Sequence, residues 1–465
     1  MVHNESRELS PELFGKFMTN VNSALSELIM SPENADKLGA IIALDKLIDV
    51  DVEESSLKVT RFHNHLRNTI PSNDPSVTIA AAKALGHLSR AGGALTSDFV
   101  EFEVKRALEW LDSTEKNEPR KFAAVLVLKE LAENASTFFY VNVNGFLERM
   151  WIALRDPRIV IREAARDALS ASLIVIEERE SDFRNNPNYR RVYDEAVLSF
   201  QSGSSDAIHG GLLALAELMV HSGNFMDALY STALDYVEKF KDGRDKYVKR
   251  TSLQLMPVMA MYSPMDFVSS KSMQSFVTHL LSCLKKGVDL GVAFVAIGEI
   301  ALAVQENFLP YVSELCDLIR ESLQPKKKYV SPLKETFACV SMLSQALGDS
   351  IESHMHDLLD PLFLAPLSLS FTDALTDLSK HVPSLLSEIQ ERLLDAITMV
   401  LTHQNYRQTV FAHALLPKRE NEKRTLPATT STQATAESAS DPVTMILALE
   451  TLAKFDFSGH ILLEF

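Results

Sequence analysis

The sequence predicts an all-α fold, an α-α superhelix of stacked helical pairs, and two observations carry that reading. First, a small residue followed four positions later by an apolar one, and three later by another, recurs at roughly forty residues. The middle apolar positions are Leu44, Leu85, Leu128, Leu169, Leu215, Met256, Ile297, Val340, Leu375 and, after a gap, Leu449. Second, no run of period-two alternation lies between hairpin signals, so strands are not expected. A spacing of four and three marks one face of a helix, and helices repeating at about 40–47 residues read as a HEAT or armadillo-like solenoid. Each unit of such an array buries its apolar face against its neighbours, so 465 residues need not divide into several globular domains.

Taken in order, the elements repeat one layout. Four residues before the first eight anchors stand Ala40, Ala81, Ala124, Ala165, Gly211, Ser252, Ala293 and Thr336, small enough to let a neighbouring helix approach. Three residues after them come Leu47, Leu88, Leu131, Ser172, Leu218, Met259, Ile300 and Leu343. Asn73-Asp74-Pro75 leads into the Leu85 helix, Pro119-Arg120 into the Leu128 helix and Asp156-Pro157 into the Leu169 helix. Proline at a helix start costs no hydrogen bond, and an aspartate before it can cap the free N–H groups. Arg162 is placed to pair with an aspartate of the adjacent repeat, a charged ladder inside the stack. A second amphipathic helix precedes each of these: Glu101–Leu111 before Leu128, Asn144–Leu154 before Leu169, Phe276–Lys285 before Ile297.

These pairs give a solenoid over residues 1–417, about nine pairs at this period. Glu177 to Tyr193, with Asn185-Asn186-Pro187-Asn188, reads as an extended inter-repeat loop. Residues 418–441 hold many Ser and Thr, no aromatic and few aliphatic side chains, a composition that cannot bury enough surface to order itself; regulatory phosphorylation is the sharper reading there. Residues 442–465 read as the start of a further, incomplete repeat. The ending lacks the polar cap that solenoid ends need, so it looks like a cut, and self-association through the last repeat is expected.

Composition narrows the function. A net charge of −16 argues against a general nucleic-acid coat, which needs a basic face. Cys283, Cys316 and Cys339 lie far apart among apolar helical residues, which reads as buried reduced thiols and a reducing compartment. Met1 to Ser10 lacks the features of a secretory signal. Apolar stretches such as Leu359–Leu369 are too short or interrupted to span a bilayer. A soluble intracellular protein is expected.

Catalytic and cofactor motifs are not found: no phosphate-cradling G-x-G-x-x-G or G-x-x-x-x-G-K-[ST], no H-R-D or D-F-G. No catalytic, cofactor-binding or metal-binding residue is therefore assigned. His63 and His65 sit two apart, as do His354 and His356, and on a helix such pairs point to different sides. Lys326-Lys327-Lys328 reads as a solvated inter-repeat turn, with an acidic partner or membrane surface as the minority reading. Trp110 and Trp151, and the Met256, Met259, Met261 stripe, read as core.

Several blocks resemble the N-terminal HEAT region of the target of rapamycin kinases, a phosphatidylinositol-kinase-related class. They are Phe62-His63-Asn64-His65-Leu66-Arg67-Asn68 running on to Ile70-Pro71-Ser72-Asn73-Asp74-Pro75, and Phe99 through Leu111. Ala123 to Ala132 with Thr137-Phe138-Phe139, Cys339 to Leu343, and Phe455 to His460 join them. The resemblance keeps its order along essentially the whole chain, and the Glu101–Leu111 block distinguishes it from generic repeat adaptors. It implies a scaffold arm that docks a raptor-type subunit and a second copy of the kinase in nutrient-responsive growth signalling. It also implies cytoplasmic residence with recruitment to vacuolar or lysosomal membranes. The family's kinase domain lies beyond Phe465, so ATP and Mg²⁺ are implied only with that downstream domain, and none of its residues is carried over. Two other readings stand beside this one: a truncated record of the kinase, and a free-standing HEAT adaptor.

Overall fold

A computed structural model of the chain describes residues 10–50, 55–112, 117–324, 332–402 and 442–459. They fall into two compact units, Met1–Thr251 and Ser252–Phe465. Helices and short 3₁₀ turns account for the regular structure, with no strand among the described residues.

In the first unit the chain runs α1 (Pro11–Met30), α2 (Asn34–Ile48), α3 (Ser55–Thr69), α4 (Pro75–Gly92), α5 (Ser97–Asp112) and α6 (Glu118–Asn134). It continues through the one-turn α7 (Ser136–Tyr140) to α8 (Val143–Leu154), α9 (Ile159–Glu177), α10 (Pro187–Gln201), α11 (Ser205–His221), α12 (Tyr230–Phe240) and α13 (Lys246–Tyr262), whose last residues belong to the second unit. The second helices form one packed row: α2 on α4, α4 on α6, α6 on α9, α9 on α11. Their partners α5, α8 and α10 line up as a row of first helices. In the second unit α14 (Pro264–Ser269) leads to α15 (Lys271–Lys286), α16 (Leu290–Val304), α17 (Leu309–Leu323), α18 (Leu333–Leu347), α19 (Glu352–Phe363), α20 (Leu369–His381), α21 (Leu386–Leu401) and α22 (Pro442–Lys454). Here α16, α18, α20 and α22 make the row of second helices.

The anchors from Leu44 to Leu375 are all buried, as are the small residues before and the apolar residues after the first eight. Each large anchor contributes about 1.5–3 kcal/mol by leaving water. Where the repeat brings helices closest, only a hydrogen fits: a Cβ on Gly210 would stand 1.9 Å from the Leu154 carbonyl oxygen. Caps follow the predicted chemistry at two starts. Asp74 Oδ1 accepts from Ser76 N at 2.8 Å, and Asn117 Oδ1 from Arg120 N at 3.1 Å, each just ahead of a proline. At the third start the helix begins at Ile159, and Asp156 instead turns its Oδ1 onto Arg158 N at 3.0 Å and its Oδ2 onto Lys121 at 3.2 Å.

Several expectations are corrected. Leu449 is 54% exposed, whereas Ala448 and Thr451 are buried: α22 turns its small, short face inward, so the tenth anchor is misplaced by one residue. The same helix packs on α21, completing the pair that α21 begins. Residues 418–441, like Lys326-Lys327-Lys328 and residues 1–9, lie outside the described residues. The predicted loop from Glu177 to Tyr193 shrinks to residues 178–186, because Asn186 caps α10 and draws Asn188 through Tyr193 into the helix. Met261 is 53% exposed and is no core filler, unlike Met256 and Met259. Cys316 and Cys339 are buried, and burial pushes the Cys316 thiol up to about 12 and the Cys339 thiol higher; Cys283 is only half-buried. Among the described residues Leu290–Leu323 is long and apolar enough by composition to cross a membrane. It is nonetheless broken: Gln305 at φ 50° opens a 3₁₀ turn through Phe308, and α16 and α17 each bury an apolar face in the unit.

Candidate protein-docking site

The Glu101–Leu111 block forms most of α5. Its residues Val100, Val104, Ala107, Leu108 and Leu111 are buried, which leaves Phe102, Arg106 and Trp110 at i, i+4 and i+8 on another flank. Phe102 is 40% exposed and Trp110 half-exposed. Sequence reasoning put Trp110 in the core; the structure places only Trp151 there. The exposed Arg67 of α3 lies over the Phe102 ring at 4.2 Å, and Arg106 lies over Trp110 at 4.6 Å. Cation–π contacts of this kind contribute about 0.5–1 kcal/mol each at exposed sites, and they hold the rings and guanidinium groups in place.

Beneath the stripe sits a buried charged cluster. Glu103 is fully buried, one carboxylate oxygen 2.8 Å from His63 Nε2 and the other ion-paired with Arg106. His63 stacks on Phe99 with ring centroids 4.6 Å apart. Burial pulls the Arg106 guanidinium below its ordinary range, the nearby Arg67 adds to this, and Glu103 opposes it. His65 does not join the cluster: it is half-buried beside Arg61, and burial first, then that arginine, lowers it. The two histidines therefore do different things, as their spacing predicts.

The neighbouring first helices α8 and α10 also expose apolar side chains. Ile152 and Leu198 are exposed there, Leu198 at 54%. Arg155 lies over Trp151 at 5.0 Å, reaches Glu195 at 2.7 Å and donates to Ser199 Oγ at 2.9 Å. Arg149 pairs with Asp112, and Arg191 with Glu148 at 3.4 Å, so the first helices are tied across their joints. Aromatic and arginine side chains in this arrangement are the types that dominate protein interfaces. One signal for the stripe was legible: Phe102, Arg106 and Trp110 fall off the Val100–Val104–Leu111 seam.

The predicted Arg162 ladder is present on the row of second helices. The guanidinium is 1% exposed; Nη1 reaches Asp206 of the next pair at 2.5 Å and the Asp156 carbonyl at 2.7 Å, and Nε donates to His209 Nδ1 at 2.9 Å. Burial, then the Arg162 charge, pulls His209 down to about 4, so the ring is a neutral acceptor. This arrangement joins repeats and offers no open position to a ligand. Among the described residues no group of three or more His, Cys, Asp or Glu is placed to hold a metal.

The whole chain aligns at 37% identity with 18% of the serine/threonine-protein kinase TOR of Arabidopsis thaliana. It aligns, again in full, at 35% identity with 19% of tor1 of Schizosaccharomyces pombe, and at 38% with 18% of TOR of Oryza sativa. Its relatives are the target of rapamycin kinases. The chain spans under a fifth of their length, in keeping with a resemblance to their N-terminal HEAT region. No family model matches the chain. Among solved structures, importin β matches with a TM-score of 0.57 at 12% identity, over 96% of this chain and 53% of that one. The karyopherin Kap121p bound to Ste12p matches with 0.54 at 13%, over 85% and 45%. At such identities these two establish the HEAT-type helical solenoid fold alone.

Proposed function

We propose that this chain is the partner-docking arm of a target of rapamycin kinase, binding a raptor-type subunit through the first-helix face of its first unit. The observation that carries the proposal is the stripe of Arg67, Phe102, Arg106 and Trp110, aromatic and cationic, held from below by a buried carboxylate. It occupies the block that most specifically resembles the family. The arm holds subunits of a nutrient-responsive complex in place, in the cytoplasm and on the membranes to which partners recruit it. A second copy of the kinase is a further partner.

The identity of its relatives as serine/threonine-protein kinases favours a second reading, in which the sequence is one stretch of such an enzyme. ATP and Mg²⁺ then belong to a domain outside these residues. The two readings are compatible, since one describes the arm and the other the protein that carries it.

The test is direct binding of the purified chain to a purified raptor-type subunit. Saturable binding at micromolar Kd or tighter, weakened at least tenfold by Phe102→Ala with Trp110→Ala, is expected; loss of a hot-spot residue costs about 2 kcal/mol or more. Absence of binding, or binding that ignores both substitutions, contradicts the proposal.

A further inference from the structure

A different surface carries a regulatory device. Arg179, two residues past the end of α9, reaches back across the joint between pairs. Its Nη2 donates to Ser136 Oγ at 3.1 Å and to Thr137 Oγ1 at 3.0 Å, and the guanidinium lies over the Tyr140 ring at 5.5 Å. Acids flank Arg179 in sequence, yet three of them are engaged elsewhere. Glu177 faces His221 at 3.5 Å, Glu180 accepts from Tyr140 Oη at 2.8 Å and Asn188 Nδ2 at 3.1 Å, and Asp182 accepts from Asn185 N at 3.3 Å. Among the described residues the exposed Arg179 has no carboxylate partner and contacts two neutral hydroxyls, of which Thr137 is exposed.

We infer that Thr137, with Ser136 beside it, is a phosphoacceptor site whose phosphate is read by Arg179. A protein kinase would transfer the γ-phosphoryl group of a nucleoside triphosphate to Oγ1. The O–P bond to threonine forms, the bond from Pγ to the bridging oxygen breaks, the diphosphate leaves, and the hydroxyl proton passes to the kinase's base. The product carries about −1.5 to −2 charges and three acceptor oxygens. A planar guanidinium binds two such oxygens side by side, so a weak neutral contact becomes a charge-assisted clamp. The clamp links α7, between α6 and α8, to the end of α9, and stiffens the joint between two consecutive pairs. Residues 130–136 contain Glu130 and Glu133 and no lysine or arginine, so an arginine-directed kinase does not fit.

The experiment uses the full chain with phosphothreonine installed at position 137, in the Arg179 and Arg179→Gln backgrounds. Hydrogen exchange is read over residues 136–142 and 178–186. Exchange about tenfold slower on phosphorylation, the order expected of a charge-assisted bond, is predicted with Arg179 and absent with Arg179→Gln. Unchanged exchange, or equal slowing in both backgrounds, overturns the clamp. Mass spectrometry of the Glu130–Arg149 tryptic peptide from the chain's own cells supplies the second arm. Phosphate on Thr137 or Ser136 supports the site, and an unmodified peptide in both growing and starved cells overturns it.

Discussion

The two units use the same repeat and dress it differently. On the first helices of the first unit the exposed side chains include Arg67, Phe102, Ile152 and Leu198, with Trp110 half-exposed. On those of the second unit the exposed side chains include Glu314, Asp317, Glu352, Asp357, Asp360 and Asp395, with Leu309 an exposed large apolar group. The joints differ as well. Buried charges stitch the first unit, in the clusters around Glu103 and Arg162. Hydroxyls stitch the second: Ser322 to Thr336 at 3.2 Å, and Thr372 to Thr451 at 2.9 Å. Shape is therefore set by the small-and-apolar register common to both. Recognition is set by residues outside that register.

The largest effect that would break this comparison is at Arg162. Arg162→Ala leaves the Asp156 carbonyl and His209 Nδ1 without their buried donor, while the 41% exposed Asp206 turns to water, and should cost about 1–3 kcal/mol. Thr372→Val in the second unit should cost about 1 kcal/mol, since it removes a neutral hydroxyl that bonds Thr451 Oγ1 and the Ser368 carbonyl. Urea titration of each variant checks the contrast, and similar losses in both would erase it. Gly210→Ala comes next: its methyl must displace the Leu154 carbonyl, so a loss of about 1–3 kcal/mol is expected, against almost none for Gly39→Ala, where a Cβ meets nothing within 4 Å.

A pH titration sharpens the same contrast. His209 is held at about 4 in the folded chain, below its ordinary 6.5. A depressed histidine contributes stability that is complete above the unfolded value and is lost as pH falls through the folded one. Denaturation midpoints should therefore fall from pH 6.5 toward 4, and His209→Gln should flatten that slope. The smallest effect concerns α22: Leu449→Asp should shift stability by less than about 0.5 kcal/mol, while Ala448→Asp should detach the helix in limited proteolysis. The reverse outcome would restore the anchor first assigned to Leu449.

The fold was legible because one physical constraint repeats. A small residue and then an apolar anchor must meet the neighbouring helix at fixed spacing; eight of the ten anchors have the small residue ahead of them, and nine are buried. Leu449 misled because α22 is apolar on both sides, so periodicity alone could not choose between Ala448 and Leu449. The docking stripe was harder. Trp110 has the composition of core, and only its phase relative to Val104 and Leu111 separates it. Arg67 comes from another helix, and no local pattern reveals that it will lie over Phe102. The Arg179 contact spans more than forty residues and depends on where neighbouring acids turn, which the sequence does not display.

The most direct test of the docking assignment sets one face against the other in a single binding series. The chain, the variant Arg67→Glu with Phe102→Ala, and the variant Asp357→Lys with Asp395→Lys are titrated against the purified raptor-type subunit. The first-unit variant should weaken Kd at least tenfold while losing only about 1 kcal/mol of stability, and the second-unit variant should bind within about threefold of the unaltered chain. Loss of binding on the acidic face, with the aromatic–arginine face indifferent, would contradict the assignment.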